Sequence, residues 1–172
     1  PGSVRYVGSE IRAVLLSKKQ VDTRKNICVI SGESIAVEAA IMASEGTVVA
    51  VEYSARDRRT LEDNVSQFGL NNVTIIDHVD EQTMADLPVP DVTMLVASAS
   101  MEQEMNCLLK LNPKMEFVIY TLDFAVAAAM SEKCKALGVG DVEVIQVTVS
   151  KLSSKNTFDT QPAPWIISAR PE

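Results

Sequence analysis

Ile27-Cys-Val-Ile-Ser-Gly-Glu-Ser-Ile-Ala-Val-Glu-Ala-Ala-Ile41, followed by Thr47-Val-Val-Ala-Val-Glu-Tyr53, decides how the rest of the chain is read. An apolar run turns at Ser31-Gly32, becomes a small-residue helix, and returns as a second apolar run ending in Glu52. Strand, tight turn, helix and strand in that order open a nucleotide-binding α/β domain, with an acid placed to accept ribose hydroxyls. The turn holds a single glycine, Gly32, where nucleotide loops of this kind carry two or three.

On the N-terminal side, Ile11, Val14 and Leu15 recur at i, i+3 and i+4 and predict an amphipathic helix over Glu10 to Lys19. Asn26 to Ile30 then forms the first strand, continuous in Ile and Val as a strand buried on both faces is. The helix over Ser34 to Ser44 and the strand Thr47 to Glu52 follow. Ser54 is an N-cap with Asp57 at the third helical position. Leu61, Val65 and Phe68 form that helix's apolar stripe, and Gly69 stops it. Strands are expected at Val73 to Ile76, Val92 to Val96 and Glu116 to Tyr120. Ser100-x-x-Gln103 reads as a capping box opening a helix with Met105, Leu108 and Leu109 inward. Thr121 is read as the cap of a helix running to Leu137, stopped by Gly138. Val142 to Ser150 and Trp165 to Ala169 close the series, joined by the helix-free stretch Lys151 to Pro164.

Strands alternating with helices imply a parallel sheet covered on both faces. The helix-free link makes the last two strands antiparallel neighbours, with the final one inserted in the sheet. The pattern is α/β, a mostly parallel sheet flanked by helices with a C-terminal antiparallel hairpin. It resembles the class I S-adenosylmethionine (SAM)-dependent methyltransferase fold, a Rossmann-like fold, rather than a dehydrogenase domain. One domain over residues 1–172 accounts for the length. The Pro1-Gly2-Ser3 start has no initiator Met and reads either as a remnant added before the natural sequence or as the cut edge of a longer polypeptide.

With 47% hydrophobic and 23% charged residues the composition is globular, and no apolar run reaches the ~20 residues of a membrane helix. A net charge of −7 argues against general nucleic-acid binding, which needs a basic face. Arg56, Arg58 and Arg59 are the best basic patch, and beside Asp57, Glu62 and Asp63 they read foremost as a solvated helix face. Cys28, Cys107 and Cys134 lie far apart without metal-ligand spacing, so a reduced, cytoplasmic setting is expected and no metal site. The one histidine, His78, cannot build a histidine-based metal site alone.

Ligands of open parallel sheets sit at the carboxyl ends of the strands, near the point where strand order reverses. Ser31, Gly32 and Glu33 end the first strand; Gly32 lets the backbone turn and approach a ligand, and the helix start favours negative charge. Glu33 suits the ammonium group of an amino-acid ligand better than a phosphate. Glu52 is either a ribose acceptor or an acid steadied by the next helix dipole, with Tyr53 beside it. Asp77 and Asp80 follow the third strand, where an acid can meet an adenine amino group or serve only as loop. Ala97-Ser98-Ala99-Ser100 leaves room for a substrate or simply leads into a helix. Lys151 and Lys155, on a stretch long enough for a binding loop, can meet substrate carboxylates or stay solvated. Nothing resembles a catalytic triad, an acid–base carboxylate pair or a metal cluster. Methyl transfer needs none of these, since holding the nucleophile in line with a reactive methyl donor supplies up to about 7–11 kcal/mol through proximity.

With these residues in view, the chain resembles the decarboxylating precorrin-6B methyltransferase family of cobalamin biosynthesis, also found as the C-terminal half of precorrin-6Y C(15)-methyltransferases. Glu10-Ile-Arg-Ala-Val-Leu-Leu-Ser-Lys18 is similar to that family's leading helix. Ser34 to Ala40, Asn64 to Val73, Ala85-Asp-Leu-Pro-Val-Pro-Asp91 and Pro164-Trp-Ile-Ile-Ser-Ala-Arg170 keep its phrasing. The departures fall on loops. The family's Asp-Ile-Gly-x-Gly-x-Gly stands here as the shorter Val29-Ile-Ser-Gly-Glu-Ser34, its Thr-Lys pair as Val7-Gly8, and its glycine-rich turn after the fourth strand as Ala97-Ser-Ala-Ser100. Its acid after the third strand aligns with Val79, or with Asp80 by a one-residue shift, while Glu52 keeps its place.

The resemblance implies a SAM-dependent enzyme that methylates a corrin-ring precursor and removes a carboxyl group from it. SAM would be held by Ser31, Gly32, Glu33, Glu52, Tyr53 and Asp80, and the tetrapyrrole would face Ala97, Ser98, Lys151 and Lys155. It also implies a homo-oligomer, tetrameric among the family's members. The alternative expectation, from the shortened glycine loop, is a non-catalytic methyltransferase-like scaffold without SAM binding. An NAD-dependent dehydrogenase needs the three-glycine fingerprint that this chain lacks.

Overall fold

The computed structural model describes residues 7–171, so the Pro1-Gly2-Ser3 start lies outside the described residues. After helix α1 (Ser9–Ser17), five parallel strands enter a seven-stranded sheet: β1 (Asn26–Ile30), β2 (Thr47–Val51), β3 (Val73–Ile76), β4 (Val92–Val96) and β5 (Glu116–Thr121). The helices between them are α2 (Glu33–Met42), α3 (Ala55–Gln67), α4 (Glu81–Met84) and α5 (Met101–Leu111). Then come α6 (Phe124–Ala136), β6 (Val139–Gln146), a two-stranded ribbon of β7 (Ser150–Leu152) and β8 (Phe158–Thr160), and β9 (Trp165–Pro171). The sheet order is β3-β2-β1-β4-β5-β9-β6, with β9 antiparallel to both its neighbours. The last strand is therefore inserted, as the helix-free connection implied.

Alternate side chains of the central strands enter two separate apolar layers. Ile27 and Val29 of β1 join Leu15, Ile35 and Leu61 under α1, α2 and α3. Cys28 and Ile30 join Met105, Leu108 and Met130 under α5 and α6. Burial on both faces is why these strands are unbroken in Ile and Val rather than alternating with polar residues.

The punctuation of the helices is partly as expected. Ser54 accepts the Asp57 N–H at 3.1 Å, and Gly69 and Gly138 stop α3 and α6 at φ of +63° and +77°. Other points differ. Phe68 is 60% exposed, because α3 ends there and turns the ring to solvent instead of into the stripe. Ser100 makes no capping hydrogen bond, since its ψ of −3° is already helical. The cap of α6 is Asp123, which accepts from the Ala125 N–H, while Thr121 stays in β5. The expected strand Val142 to Ser150 starts earlier, breaks after Gln146 and resumes as β7. A register irregularity between Gly140 and Glu143, with Asp141 at a φ of +45°, hides its start from any alternation pattern.

Candidate functional site

Since β2, β1 and β4 are adjacent, their carboxyl ends bring Ser31-Gly32, Glu52-Tyr53 and Ala97-Ser98 side by side, next to the strand-order reversal between β1 and β4. The turn after β1 is built differently from the expectation. The left-handed residue is Ser31, at a φ of +60°, while Gly32 sits at −128°. Ser31 is held there by its N–H, which donates to the Val51 carbonyl at 2.8 Å. Gly32 matters here for its size rather than its angle: a Cβ would come within 3.1 Å of both the Val29 and Ile35 side chains, which would have to give by a few tenths of an ångström. A non-glycine residue in the left-handed region costs about 1 kcal/mol. Ser31→Gly is therefore expected to raise stability by about that amount, read as a rise in Tm of roughly 3 °C.

Glu52 follows β2 and is 2% exposed. Its N–H donates to the Ile76 carbonyl of β3, and its own carbonyl accepts from Arg58 at 2.9 Å, as does the Tyr53 carbonyl at 3.0 Å. Arg58 thus clamps the backbone that presents the acid. Tyr53 reaches over the sheet, its hydroxyl donating to Glu104 of α5 at 2.6 Å and lying 3.3 Å from the Ser100 hydroxyl. Burial, and then the Glu104 carboxylate, push the Tyr53 phenol up to about 12, so it stays a donor. Ser100 also donates to Glu104 at 3.2 Å, and its N–H reaches the Ser98 hydroxyl. In the first turn of α2, the Ser34 hydroxyl is buried with no hydrogen-bond partner.

Other candidates are engaged elsewhere. The Glu33 carboxylate accepts from Asn64 of α3. Asp80 caps α4: Oδ1 accepts the Thr83 N–H at 2.7 Å and Oδ2 lies 2.8 Å from His78. Lys151 lies on β7 with its Nζ 2.7 Å from Glu10 of α1. Lys155 lies in the link between β7 and β8 and is exposed. Because Trp165 pairs with Thr121, that ribbon leaves the sheet at its carboxyl end, the same end as the site. At this end too, Phe124 is 66% exposed and tilts against Trp165, ring centres 5.6 Å apart.

His78 lies between two carboxylates, 2.8 Å from Asp80 and 2.6 Å from Asp77. Asp80, then Asp77, raises its pKa above 6.5; both acids are lowered below 3.8, Asp77 chiefly by His78 and Asp80 chiefly by the Thr83 N–H. The histidine's contribution to stability is full below 6.5 and lost as pH rises through its raised value. That of the acids is full above 3.8 and lost as pH falls through their lowered values. With a single histidine, ring-proton NMR reads the titration directly: a midpoint above 6.5 is expected, moving back toward it in Asp80→Asn. An unmoved midpoint would remove the Asp80 contact.

Glu104, Ser34 and Phe124 carry no assignment from sequence motifs, and Arg58, read there only as part of a basic patch or solvated helix face, instead holds the backbone at Glu52 and Tyr53. Glu104 did leave a signal, an acid in the buried stripe of α5 beside Met101, Met105 and Leu108.

The strand order, the inserted antiparallel β9 and a buried acid ending β2 define the fold of the class I SAM-dependent methyltransferases. Residues 7–164 match the precorrin methyltransferase domain family, and the chain belongs to it. Among solved structures it resembles a precorrin-6Y C5,15-methyltransferase from Geobacter metallireducens, with TM-score 0.87 and 23% identity over 99% of this chain and 92% of that one. A precorrin-8W decarboxylase from Methanobacterium thermoautotrophicum superposes with TM-score 0.79 and 15% identity, over 98% and 91% of the two chains. The C-terminal domain of precorrin-6Y C5,15-methyltransferase from Rhodobacter capsulatus gives 0.76 and 15%, over 99% and 92%. No curated protein sequence matches the chain. No helix among the described residues is long and apolar enough to cross a membrane.

Proposed function

We propose that the chain binds SAM across the carboxyl ends of β2, β1 and β4 and methylates a carbon of a precorrin macrocycle, with loss of a carboxyl group as carbon dioxide. The observation that carries this reading is Glu52, a carboxylate 2% exposed at the end of β2, one strand away from the strand-order reversal. A buried acid there suits a pair of vicinal hydroxyls, as on a ribose. The partnerless Ser34 hydroxyl fits as well, because it lies in the first turn of α2, where a ligand carboxylate meets N–H groups and the positive end of the helix.

SAM supplies a methyl group on a positively charged sulfur. The chain's part is to bind, align and exclude water. Glu52 holds the nucleoside, with Arg58 fixing the backbone on either side of the acid's own peptide link. Ser31 and Gly32 present the backbone after β1. Ala97 and Ser98 are small enough to let a macrocycle approach, and Phe124 with Trp165 offers it an apolar edge at the same end of the sheet. Lys155 is exposed and remains available to an acetate or propionate of the macrocycle, whereas Lys151 is occupied by Glu10. Asp80, Glu33 and the Tyr53 hydroxyl are likewise engaged within the protein, which favours Glu52 as the nucleoside contact.

The test is turnover of a precorrin-6 substrate with SAM, followed by mass spectrometry and release of carbon dioxide. A product gaining a methyl and losing carbon dioxide supports the reading. SAM binding without either change would rule out this substrate class.

A further inference from the structure

Among the described residues, the buried acidic side chains are Glu52 and Glu104, and both lie at the carboxyl end of the sheet. Glu104 is 4% exposed, and its partners are hydroxyls alone: Tyr53 on one oxygen and Ser100 on the other. No described lysine, arginine or histidine forms a salt bridge with it. Two hydroxyl donors leave a buried carboxylate's charge uncompensated, which is costly unless a cation supplies the balance.

Its position is fixed from two sides. From α5 it reaches the residue following Glu52, and β1 lies between β2 and β4 in the sheet, so the Tyr53–Glu104 bond crosses above β1. Beneath it is Cys28 of β1, whose thiol is pushed up to about 12, first by burial and then by the Glu104 charge. A ligand reaching from Glu52 toward Ala97 and Ser98 would cross the same strand, β1, that the Tyr53–Glu104 bond crosses.

We propose that Glu104 is the specificity-determining counter-charge of the site: it favours the positively charged sulfonium of SAM over the neutral thioether of S-adenosylhomocysteine, and so favours product release. This rests on SAM being the ligand, as proposed above. Both molecules carry the same adenosine and the same amino-acid ammonium and carboxylate groups. They differ by one methyl and by the charge on sulfur. A buried negative charge acting on that sulfur separates them, whereas hydrogen bonds to the ribose do not. Loss of the methyl removes the attraction at the moment when the product has to leave.

Calorimetric titration of both ligands into the full chain and into Glu104→Gln tests this. The amide keeps the shape and one acceptor but removes the charge. The intact protein is expected to bind SAM about tenfold more tightly than S-adenosylhomocysteine, the size of a partly solvated charge interaction. In Glu104→Gln the ratio should fall toward one through weaker SAM binding alone. Weakening of both ligands by the same factor would mark a purely structural role and overturn the proposal. Tyr53→Phe keeps the charge and removes a competing donor, so its ratio should rise above that of the intact protein; a ratio at or below it overturns the proposal independently. Failure of both ligands to bind the intact protein overturns this inference and the cofactor reading together. Binding with an unaltered ratio overturns this inference and leaves SAM in place.

Discussion

Gly46→Ala is expected to destabilise the fold by about 3 kcal/mol and to lower Tm by roughly 10 °C, among the largest effects of any single methyl group in this chain. A Cβ on Gly46 would stand 2.0 Å from the Lys25 carbonyl oxygen and 2.9 Å from its carbon. Neither is the far end of a flexible side chain. The backbone cannot retreat, because Glu45 N–H donates to Thr23 at 2.7 Å and Thr47 N–H donates to the same Lys25 carbonyl at 3.2 Å. From the other side, Asn72 donates to the carbonyls of Ala40 and Ala43. The turn joining α2 to β2 is thus pinned against the approach to β1. To relieve the clash, the edge of the β1–β2 pair must shift, which disturbs the register that aligns Ile30 with Val51. Thermal unfolding measures this directly, and an unchanged Tm would show that the turn has more freedom than its hydrogen bonds imply.

The second large effect falls on binding. Glu52→Ala is expected to weaken SAM by at least about 100-fold, because two charge-assisted hydrogen bonds to hydroxyls, each worth roughly 1.5–3 kcal/mol, are lost together. The acid is 98% out of solvent and its peptide neighbours are held by Arg58, so water does not readily take its place. Glu52→Gln separates charge from shape: it keeps one acceptor and should lie between the two. Calorimetry gives the affinities and thermal unfolding checks that the sheet survives. Unchanged affinity in Glu52→Ala would exclude the ribose role and return the residue to an acid placed at the start of α3.

The buried strands were readable because their physics is simple. β1 and β4 stand at the residues the apolar runs indicate, since burial on both faces keeps those runs continuous, and the half-buried edge strand β3 also stands where its run does. Ser54, Gly69 and Gly138 were equally plain, one through its side-chain oxygen and two through left-handed backbone. The errors have physical causes too. Helix α4 is a single turn, too short for any periodicity, and its only signature is the reciprocal cap between Asp80 and Thr83. Ser100 has the sequence of a capping box, yet it is drawn into the Glu104 network instead. At the site, Glu52 was legible by its place after a strand. Glu104 showed in the sequence only as an acid in an apolar stripe, because its importance comes from Tyr53, 51 residues away, which only the strand order brings near. Gly32 drew attention as the turn residue because it is the glycine, while Ser31 carries the left-handed angle.

The place of β9 has a consequence for how the domain is made. It pairs with β5 and with β6 at once, so β6 touches the sheet only through a strand that is synthesised after it. While a ribosome is still extending the chain through the β7–β8 ribbon, β5 presents an open, apolar edge of Phe117, Val118 and Ile119 with no neighbour on that side. Such an edge is a template for pairing with another chain. The nascent domain is therefore most vulnerable to aggregation between the completion of β5 and the arrival of Trp165, and closure of the sheet is a late, single event.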